Sequence, residues 1–381
     1  GVKGLCDWLE SKAYKMHVRV LLSRYRNDAQ CLVCRGGRYQ PATLNFRFAG
    51  KTLPELMALP INGLLATISN QPPPADSTAA TLAAEDINAA GGIRSLGGAK
   101  LKLVVEDITS DATTVRTVVE RVLNQNKVAA ACGSYASALT LVATEVSERA
   151  GIPWLTGSIA DTLTARNFKN IFQASPKASH FGQAQMKFFL ETFGAKGVPK
   201  VAILYENTEY GTTTSKGIRD AAKAAKLEIV LDESYSARFT DATPLVTKVK
   251  NAGADVLFPV SYLGDAILLV KGLKQFNVKV AVVGGGAGYL VPEFLQQAGP
   301  DAAEGLFSVA SWNWDLACKG IDSFASRYKE KNGEFLMEHA GEQYALTWIA
   351  AAAIEKAASA DPATVRAALA SLSLGDGDPG A

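Results

Sequence analysis

Two short turns carry the polar atoms from which a small-anion site can be assembled. Gly133-Ser134-Tyr135-Ala136-Ser137 follows an apolar run at 128–132, and Thr156-Gly157-Ser158 follows a second at 152–155. Each offers hydroxyls beside small residues and faces the start of the next segment, where the free backbone N–H groups of a helix N-terminus favour a carboxylate. Two tyrosines stand in comparable turns further on, Tyr210 in Glu209-Tyr210-Gly211 and Tyr262 in Ser261-Tyr262-Leu263-Gly264. They would add broad apolar faces with a polar tip. A different chemistry is offered by Cys31 and Cys34, whose C-x-x-C spacing in a glycine-containing turn supplies half of a tetrahedral zinc site. No second Cys or His pair lies within reach in sequence, so two ordinary thiols are the competing reading.

Other chemistries find no carrier. The histidines are His17, His180 and His339; no Gly-x-Ser-x-Gly elbow surrounds Ser137, and there is no Walker A loop. The glycine run 284–288 misses the dinucleotide pattern, because Tyr289 and Val291 stand where it would continue. A dehydrogenase on this architecture would rest on fold analogy alone. The expectation is a binding protein, not an enzyme, that needs no cofactor.

The turns must be held by alternating strands and helices. Helices are expected at 78–90, capped by Asp76 or Ser77, and at 113–126. Strands are expected at 64–68, 100–106, 128–132 and 152–155, with a helix between the last two that buries Leu141, Val142, Val146 and Ala150. Beyond Pro176 the pattern restarts as helix 180–193, strand 201–205, helix 211–225, strand 228–235, helix 243–251, strand 255–260, helix 264–276 and strand 280–284. After 306–310, the segment Ser311-Trp312-Asn313-Trp314-Asp315 leads into three mainly helical stretches ending near 374. Alternation of this kind predicts parallel, doubly wound sheets. Helices without new strands are best placed back on the first sheet, so the chain crosses between two lobes at least twice. Each candidate residue then lies just past the carboxyl end of a strand, where open α/β sheets bind ligands. Ser137 can also serve as a helix N-cap, and Trp312 and Trp314 near the second crossing could line the cleft or wedge the hinge, packing being the favoured reading.

Composition separates the N-terminus from the rest. Of 381 residues 48% are hydrophobic and 20% charged, enough for two or three domains. The net charge of +2 hides an asymmetry: residues 1–51 hold ten Lys/Arg against three Asp/Glu, and subtracting that +7 leaves −5 for the remainder. Five scattered cysteines imply no disulfide framework, no apolar run is long enough to span a bilayer, and the first residues show no signal-peptide pattern. A Pro72-Pro73-Pro74 breaker marks the junction at 62–77.

Two resemblances can be placed on these residues. YKMHVRVLLSRYR (14–26), CLVCRGGRY (31–39) and AGKTLPEL (49–56) make residues 1–61 similar to the zinc-binding insertion of the excision-repair ATPase UvrA, whose Walker A loop, signature motif and other Cys pair are absent. Within this segment a strand at 43–48 and a Gly50-Lys51 turn are expected. The second resemblance covers about 75–375 and is carried by AAEDINAAGGI (83–93), LKLVVEDITSD (101–111), GSYAS, AGIPWLTGSIADTLT (150–164), FKNIFQASPKASHFGQA (168–184), VAILYENTEYG (201–211) and FTDATPLVTKVKNAGADVLF (239–258), in that order. The chain so resembles periplasmic solute-binding proteins of the branched-chain amino acid ABC transporter type.

That resemblance implies a type I periplasmic-binding-protein fold, two doubly wound parallel-sheet lobes joined by a hinge. Residues 62–175 and 316–381 would form lobe 1 and 176–315 lobe 2, with 1–61 appended. It implies that Ser137 holds a ligand carboxylate through hydroxyl and N–H, that the turn 156–160, with Ser158 and Ala160, offers backbone groups to the carboxylate and to an amino group, and that Tyr210 and Tyr262 close over the ligand. Tyr135 and Gly286 complete the expected ligand-facing set. The partners implied are a small solute (amino acid, amide or organic acid) and a membrane permease, for a periplasmic monomer that binds no nucleic acid; a cytoplasmic sensor using the same clamp, or a DNA- or zinc-binding role for 1–61, are the rivals. Two departures stand out. The acidic residue that pairs with a ligand ammonium in amino acid binders is replaced by Gly284-Gly285-Gly286-Ala287-Gly288-Tyr289, which opens the pocket to amides, ureas or acids unless Glu206, Glu209 or Asp161 substitutes. The family's third crossing strand gives way to LGDGDPGA at 374–381, so a copy shortened at both ends is expected.

Overall fold

The structure, a computed structural model, describes residues 8–9, 11–12, 15–16, 18, 47–48, 51–52, 55, 75–194, 199–236, 239–316, 320–333 and 336–375. The chain divides into two compact units, Gly1–Pro72 and Pro73–Ala381. In the first, Arg47–Phe48 and Lys51–Thr52 pair antiparallel, which puts Lys51 in a strand and not in the turn expected of it. Cys31 and Cys34, and the strand expected at 64–68, lie outside the described residues.

The second unit is built as the alternation requires. Its first lobe holds a three-stranded parallel sheet of β1 (Ala131–Cys132), β2 (Trp154–Thr156) and β3 (Ile171–Gln173), in that order. Around it lie α1 (Ala75–Ala89), α2 (Ala112–Gln125), α3 (Ser137–Ala150) and the single turn α4 (Thr162–Ala165). Asp111 caps α2 by accepting from the Thr114 N–H at 2.9 Å, and Val115, Val119 and Leu123 then fall on one buried stripe at i, i+4, i+8. Gly151 ends α3 in the left-handed conformation (φ 69°) that glycine adopts without a Cβ penalty.

The second lobe is a five-stranded parallel sheet: β4 (Lys200–Glu206), β5 (Glu228–Tyr235), β6 (Val256–Val260), β7 (Ala281–Gly284) and β8 (Leu306–Ser308), in spatial order β8-β7-β6-β4-β5. Its helices are α5 (Ala178–Phe193), α6 (Glu209–Ala224), α7 (Thr243–Ala252), α8 (Leu263–Gln275), and the short α9 (Pro292–Ala298) and α10 (Pro300–Ala303). Successive residues of β4 face opposite cores. Val201 and Ile203 pack with Met186, Phe189, Ile218 and Phe258 on one side; Ala202 and Leu204 pack with Val246, Leu257, Leu269 and Leu273 on the other. A strand covered on both faces must be apolar throughout, which is why β6 is buried along its whole length. Each such side chain contributes about 1.5–3 kcal/mol on burial.

The chain then returns to the first lobe as α11 (Ile321–Asn332), α12 (Glu338–Ala357) and α13 (Pro362–Ala370). Phe324 and Tyr328 of α11 pack on Ala79 and Leu82 of α1 and Ala340 of α12, while Leu346, Ala350 and Ile354 of α12 cover Leu155 of β2. Two segments therefore cross between the lobes, 174–177 and the one that leaves β8 at 309. The doubly wound, two-lobed α/β architecture agrees with expectation, and those lobe 2 elements that were expected fall within two residues of their expected bounds.

Some local expectations fail. Residues 101–108 form no strand. An extended segment joins a ladder only beside a neighbour; Val104 and Val105 of this one are exposed, and it is tied down through Asn88, whose side chain exchanges hydrogen bonds with the Leu101 backbone at 2.7 and 2.9 Å. Asp76 and Ser77 lie inside α1, which begins at Ala75 and not after them. The elements α4, β3, α9 and α10, of three to seven residues, were not anticipated. Among the described residues no helix is long and apolar enough to cross a membrane.

Candidate functional site

The N-terminus of α3 forms one wall of a narrow cleft between the lobes. Ala136 is the N-cap and makes no side-chain cap bond, so Ser137 is the first helical residue and not the cap. Its hydroxyl oxygen accepts from the Ala160 N–H at 3.3 Å, which leaves the hydroxyl proton for a group outside the helix. The Ser137 N–H, in the first turn, is one of the donors that a helix cannot satisfy internally. Ser137 lines a pocket, bounded on this side also by Tyr135, Gly157, Ser158 and Ile159.

The two turns are laced to each other by hydroxyls. Ser158 Oγ lies 2.6 Å from Thr140 Oγ1 and donates towards the carbonyls of Ser134 (2.5 Å) and Tyr135 (2.9 Å), while Thr140 Oγ1 also reaches Ser134 Oγ at 3.0 Å. The Ser158 N–H donates to Thr156 Oγ1, and Gln173 Nε2 donates to the Ser158 carbonyl at 2.8 Å. The side chain of Ser158 is thus a strut that fixes the distance between the turns. Ala160 is fully buried behind Ser137 and is not part of the pocket lining.

The facing wall comes from the second lobe. Tyr210, in the first turn of α6, and Tyr262, the N-cap of α8, stand with ring centroids 5.1 Å apart, and both line the pocket with Phe181, Gly285, Gly286 and Ala287. The Tyr210 hydroxyl donates to the Gly285 carbonyl. Burial, with Tyr135, Tyr262, Tyr289 and Glu206 nearby, raises its phenol well above the usual value, so it stays a donor. Behind Tyr262, the Tyr235 hydroxyl contacts Ser261 Oγ at 2.7 Å and Asp265 Oδ2 at 2.8 Å, and the Tyr289 hydroxyl donates to Ser261 Oγ at 3.1 Å. The glycine run has a steric reason. A Cβ at Gly284 would stand 2.6 Å from the Tyr289 ring, and one at Gly288 would stand 2.5 Å from the Tyr262 carbonyl oxygen.

The floor was missed by sequence reasoning. Glu338 and Glu342, one turn apart on α12, line the same pocket with Ser311. Ser311 Oγ lies 2.6 Å from Glu338 Oε1 and 2.8 Å from Glu342 Oε1; the Ser311 N–H donates to Glu338, and Ser175 Oγ donates to Glu342 Oε1 at 2.6 Å. Ser175 sits on the first crossing segment and Ser311 on the second, so one pair of carboxylates ties both. Burial raises the Glu338 carboxyl above the ordinary range, opposed by the Ser311 hydroxyl and N–H, His339 and the Trp312 N–H. The three acids considered from sequence as ammonium partners are otherwise placed. Glu206 accepts from the Thr208 N–H and hydroxyl and the Gly211 N–H, capping α6; Asp161 accepts from the Ser179 N–H and hydroxyl; Glu209, on α6, is not part of the lining. Trp312 packs against Gly341 of α12, where a Cβ would meet its ring at 2.6 Å, while Trp314 is exposed.

Of the seven residues expected at the ligand, Tyr135, Ser137, Ser158, Tyr210, Tyr262 and Gly286 are brought together in this one pocket. Among the described residues no cluster of three or more His, Cys, Asp or Glu could hold a metal.

Comparison with known proteins places this cleft in context. A family model described as periplasmic binding protein matches residues 64–381. A Leu/Ile/Val-binding protein homologue of Brucella melitensis is 30% identical over 326 residues, which cover 83% of this chain and 80% of that protein. The branched-chain amino acid transporter substrate-binding protein LivJ of Streptococcus pneumoniae, solved in complex with isoleucine, superposes with a TM-score of 0.69 at 27% identity, covering 78% of this chain and 82% of its own. The leucine-binding protein LivK of Thermotoga maritima superposes at 0.70 with 20% identity over 77% and 81% of the two chains.

Proposed function

The chain belongs to the periplasmic binding protein family, and we propose that it is the solute-binding component of an ABC import system, holding a small amino acid, amide or carboxylate between its two lobes. The observation that carries this reading is the pairing across one cleft of an anion-favouring helix N-terminus that begins at Ser137 against the Tyr210–Tyr262 aromatic pair of the other lobe. The Leu/Ile/Val-binding name of a relative and the isoleucine bound by another support a small aliphatic amino acid as the first solute to try.

In this reading Ser137 holds the solute carboxylate, Gly157 and its neighbours contribute backbone groups, and Tyr210 and Tyr262 fold over the apolar part as the lobes close. Closure follows from differential affinity: only the closed state lets both walls touch the solute. Tyr135 and Gly286 flank the bound solute; Ser158 and Ala160 act through the turn they hold. Lobe 1 comprises 62–175 and 316–381 and lobe 2 comprises 176–315. The protein works as a periplasmic monomer, without chemistry of its own, and the closed form is read by a membrane permease. Residues 1–61 are an appended basic segment whose likeness to the UvrA zinc-binding insertion rests on sequence alone.

A thermal-unfolding screen of the full chain against branched-chain and aromatic amino acids, short amides, urea and aromatic acids tests the reading. A solute at about 100 times its Kd adds about 2.7 kcal/mol to stability, and the shift should shrink in Ser137→Ala. A cooperative melt that no compound shifts would refute it.

A further inference from the structure

The cleft contains a feature that a carboxylate-only solute would leave unused. Two carboxylates, Glu338 and Glu342, stand in its floor, and no lysine or arginine appears among the described residues that line it. They stand in the same pocket as the donor end at Ser137, so the cleft presents a dipolar surface: N–H and O–H donors on one wall, acceptors on the floor. Gly157 places the two ends close together. A Cβ built there would stand 2.4 Å from Glu342 Oε2, so the carboxylate lies directly against the turn that follows β2.

Proton counting sharpens the point. Three oxygen–oxygen contacts of hydrogen-bond length join Ser175, Ser311, Glu338 and Glu342, at 2.6, 2.6 and 2.8 Å. Two serine hydroxyls supply two protons. Ser311 has one proton for two carboxylates, so both of its contacts reach full strength together when one carboxyl is itself protonated, as when two carboxylates share a site. The titratable groups facing this cluster are His339 on α12 itself, Tyr135 from the first turn, and Tyr210 and Tyr262 from the second lobe, with Glu206 behind Tyr262.

We propose that the Glu338–Ser311–Glu342 cluster is the cation subsite of the cleft: it keeps one proton between its carboxylates when empty and gives it up when an ammonium-bearing solute enters. The inference rests on the solute-binding reading above and narrows it to compounds carrying an ammonium together with a carboxylate. The exchange balances, since the solute brings one positive charge and the proton leaves to water. The amino end lies over Gly157 against Glu342, the carboxylate meets Ser137, and the apolar substituent points to Phe181, Tyr210 and Tyr262.

Matched probes test it with the full-length protein. L-Leucine is titrated beside 4-methylpentanoate, and L-phenylalanine beside 3-phenylpropanoate, each pair differing only in the amino group. The native protein should prefer the amino member of at least one pair by about tenfold or more, and E338Q, E342Q and the double variant should erase that preference. Calorimetry in two buffers of different ionisation enthalpy should show proton release on binding the amino member that grows as pH falls from 7 to 5 and disappears in the double variant. Equal affinity for both members in the native protein, or a preference that survives all three variants, overturns the proposal. If the des-amino acids bind through Ser137 with no role for the glutamates, the solute-binding reading stands and the cation subsite falls. If no probe of either kind binds a cooperatively folded protein, both fall.

Discussion

Gly157 and Glu342 occupy adjoining space: the missing side chain of the first is the room taken by the carboxylate of the second, with 2.4 Å between an ideal Cβ and Glu342 Oε2. The turn after β2 and the return helix α12, 185 residues apart in sequence, thereby meet in the floor of one cleft. Gly157→Ala should push the Glu342 carboxylate aside. Because the displaced atom is the end of a flexible side chain, stability should change by less than about 1 kcal/mol, whereas affinity for an amino acid solute should fall about tenfold. Paired melts and titrations of the variant separate the two effects.

Helices α5 and α6 approach through glycines on both sides. A Cβ at Gly182 would stand 2.4 Å from the Ile218 backbone nitrogen, and one at Gly217 would stand 2.4 Å from the Ser179 carbonyl oxygen. Backbone cannot swing away as a side chain can. Gly182→Ala and Gly217→Ala should each destabilise by about 1–3 kcal/mol, read from urea midpoints at unchanged slope. A loss well below this range in both would mean that the helices can separate freely.

Glu206 is placed as a structural carboxylate, outside the lining of the cleft. It is fully buried and accepts from two backbone N–H groups and a hydroxyl at the start of α6. Glu206→Gln keeps the shape but removes the charge and one acceptor, so a loss of about 1–2 kcal/mol is expected. Chemical denaturation measures it directly.

Acid should loosen α1 from α11 and α12. Burial raises the Asp86 carboxyl, but the hydrogen bonds from Arg327 and Tyr344 and the charges of Arg327 and Lys331 outweigh it and hold it below its usual value. A carboxyl depressed in the folded state stabilises fully above its unfolded value near 3.8 and loses that contribution as pH falls through the folded value. Asp86→Asn should therefore be less stable than the native protein at pH 7, with the difference shrinking below about pH 4. Denaturant midpoints at pH 7 and pH 3 give the comparison; a difference constant across that range would contradict it.

Much of this was legible in the sequence where apolar runs were long and bounded by glycine or polar turns. The strands of lobe 2 read clearly because a strand covered on both faces is apolar throughout, as in 256–260. The three-residue strand Ile171–Gln173 was too short to carry a period. Residues 100–106 alternate like a strand, yet pairing depends on a neighbour and not on the pattern. In the site, Ser137, Tyr210 and Tyr262 stood out because each follows a strand end in a small-residue turn. Glu338 and Glu342 did not, since two acids one turn apart on a helix look like any solvated face until a second lobe closes over them. The same limit hid the reason for the glycines at 284 and 288, which answer to Tyr289 and Tyr262.

The central claim, that one solute touches both lobes, is tested most directly by calorimetric titration of the native protein, Ser137→Ala and Tyr262→Ala with the solute chosen by the thermal screen. The two residues sit on opposite walls of the cleft. Both variants should bind about tenfold or more weakly while still unfolding cooperatively. Unchanged affinity in either one would mean that the solute does not span the cleft, and would contradict the account.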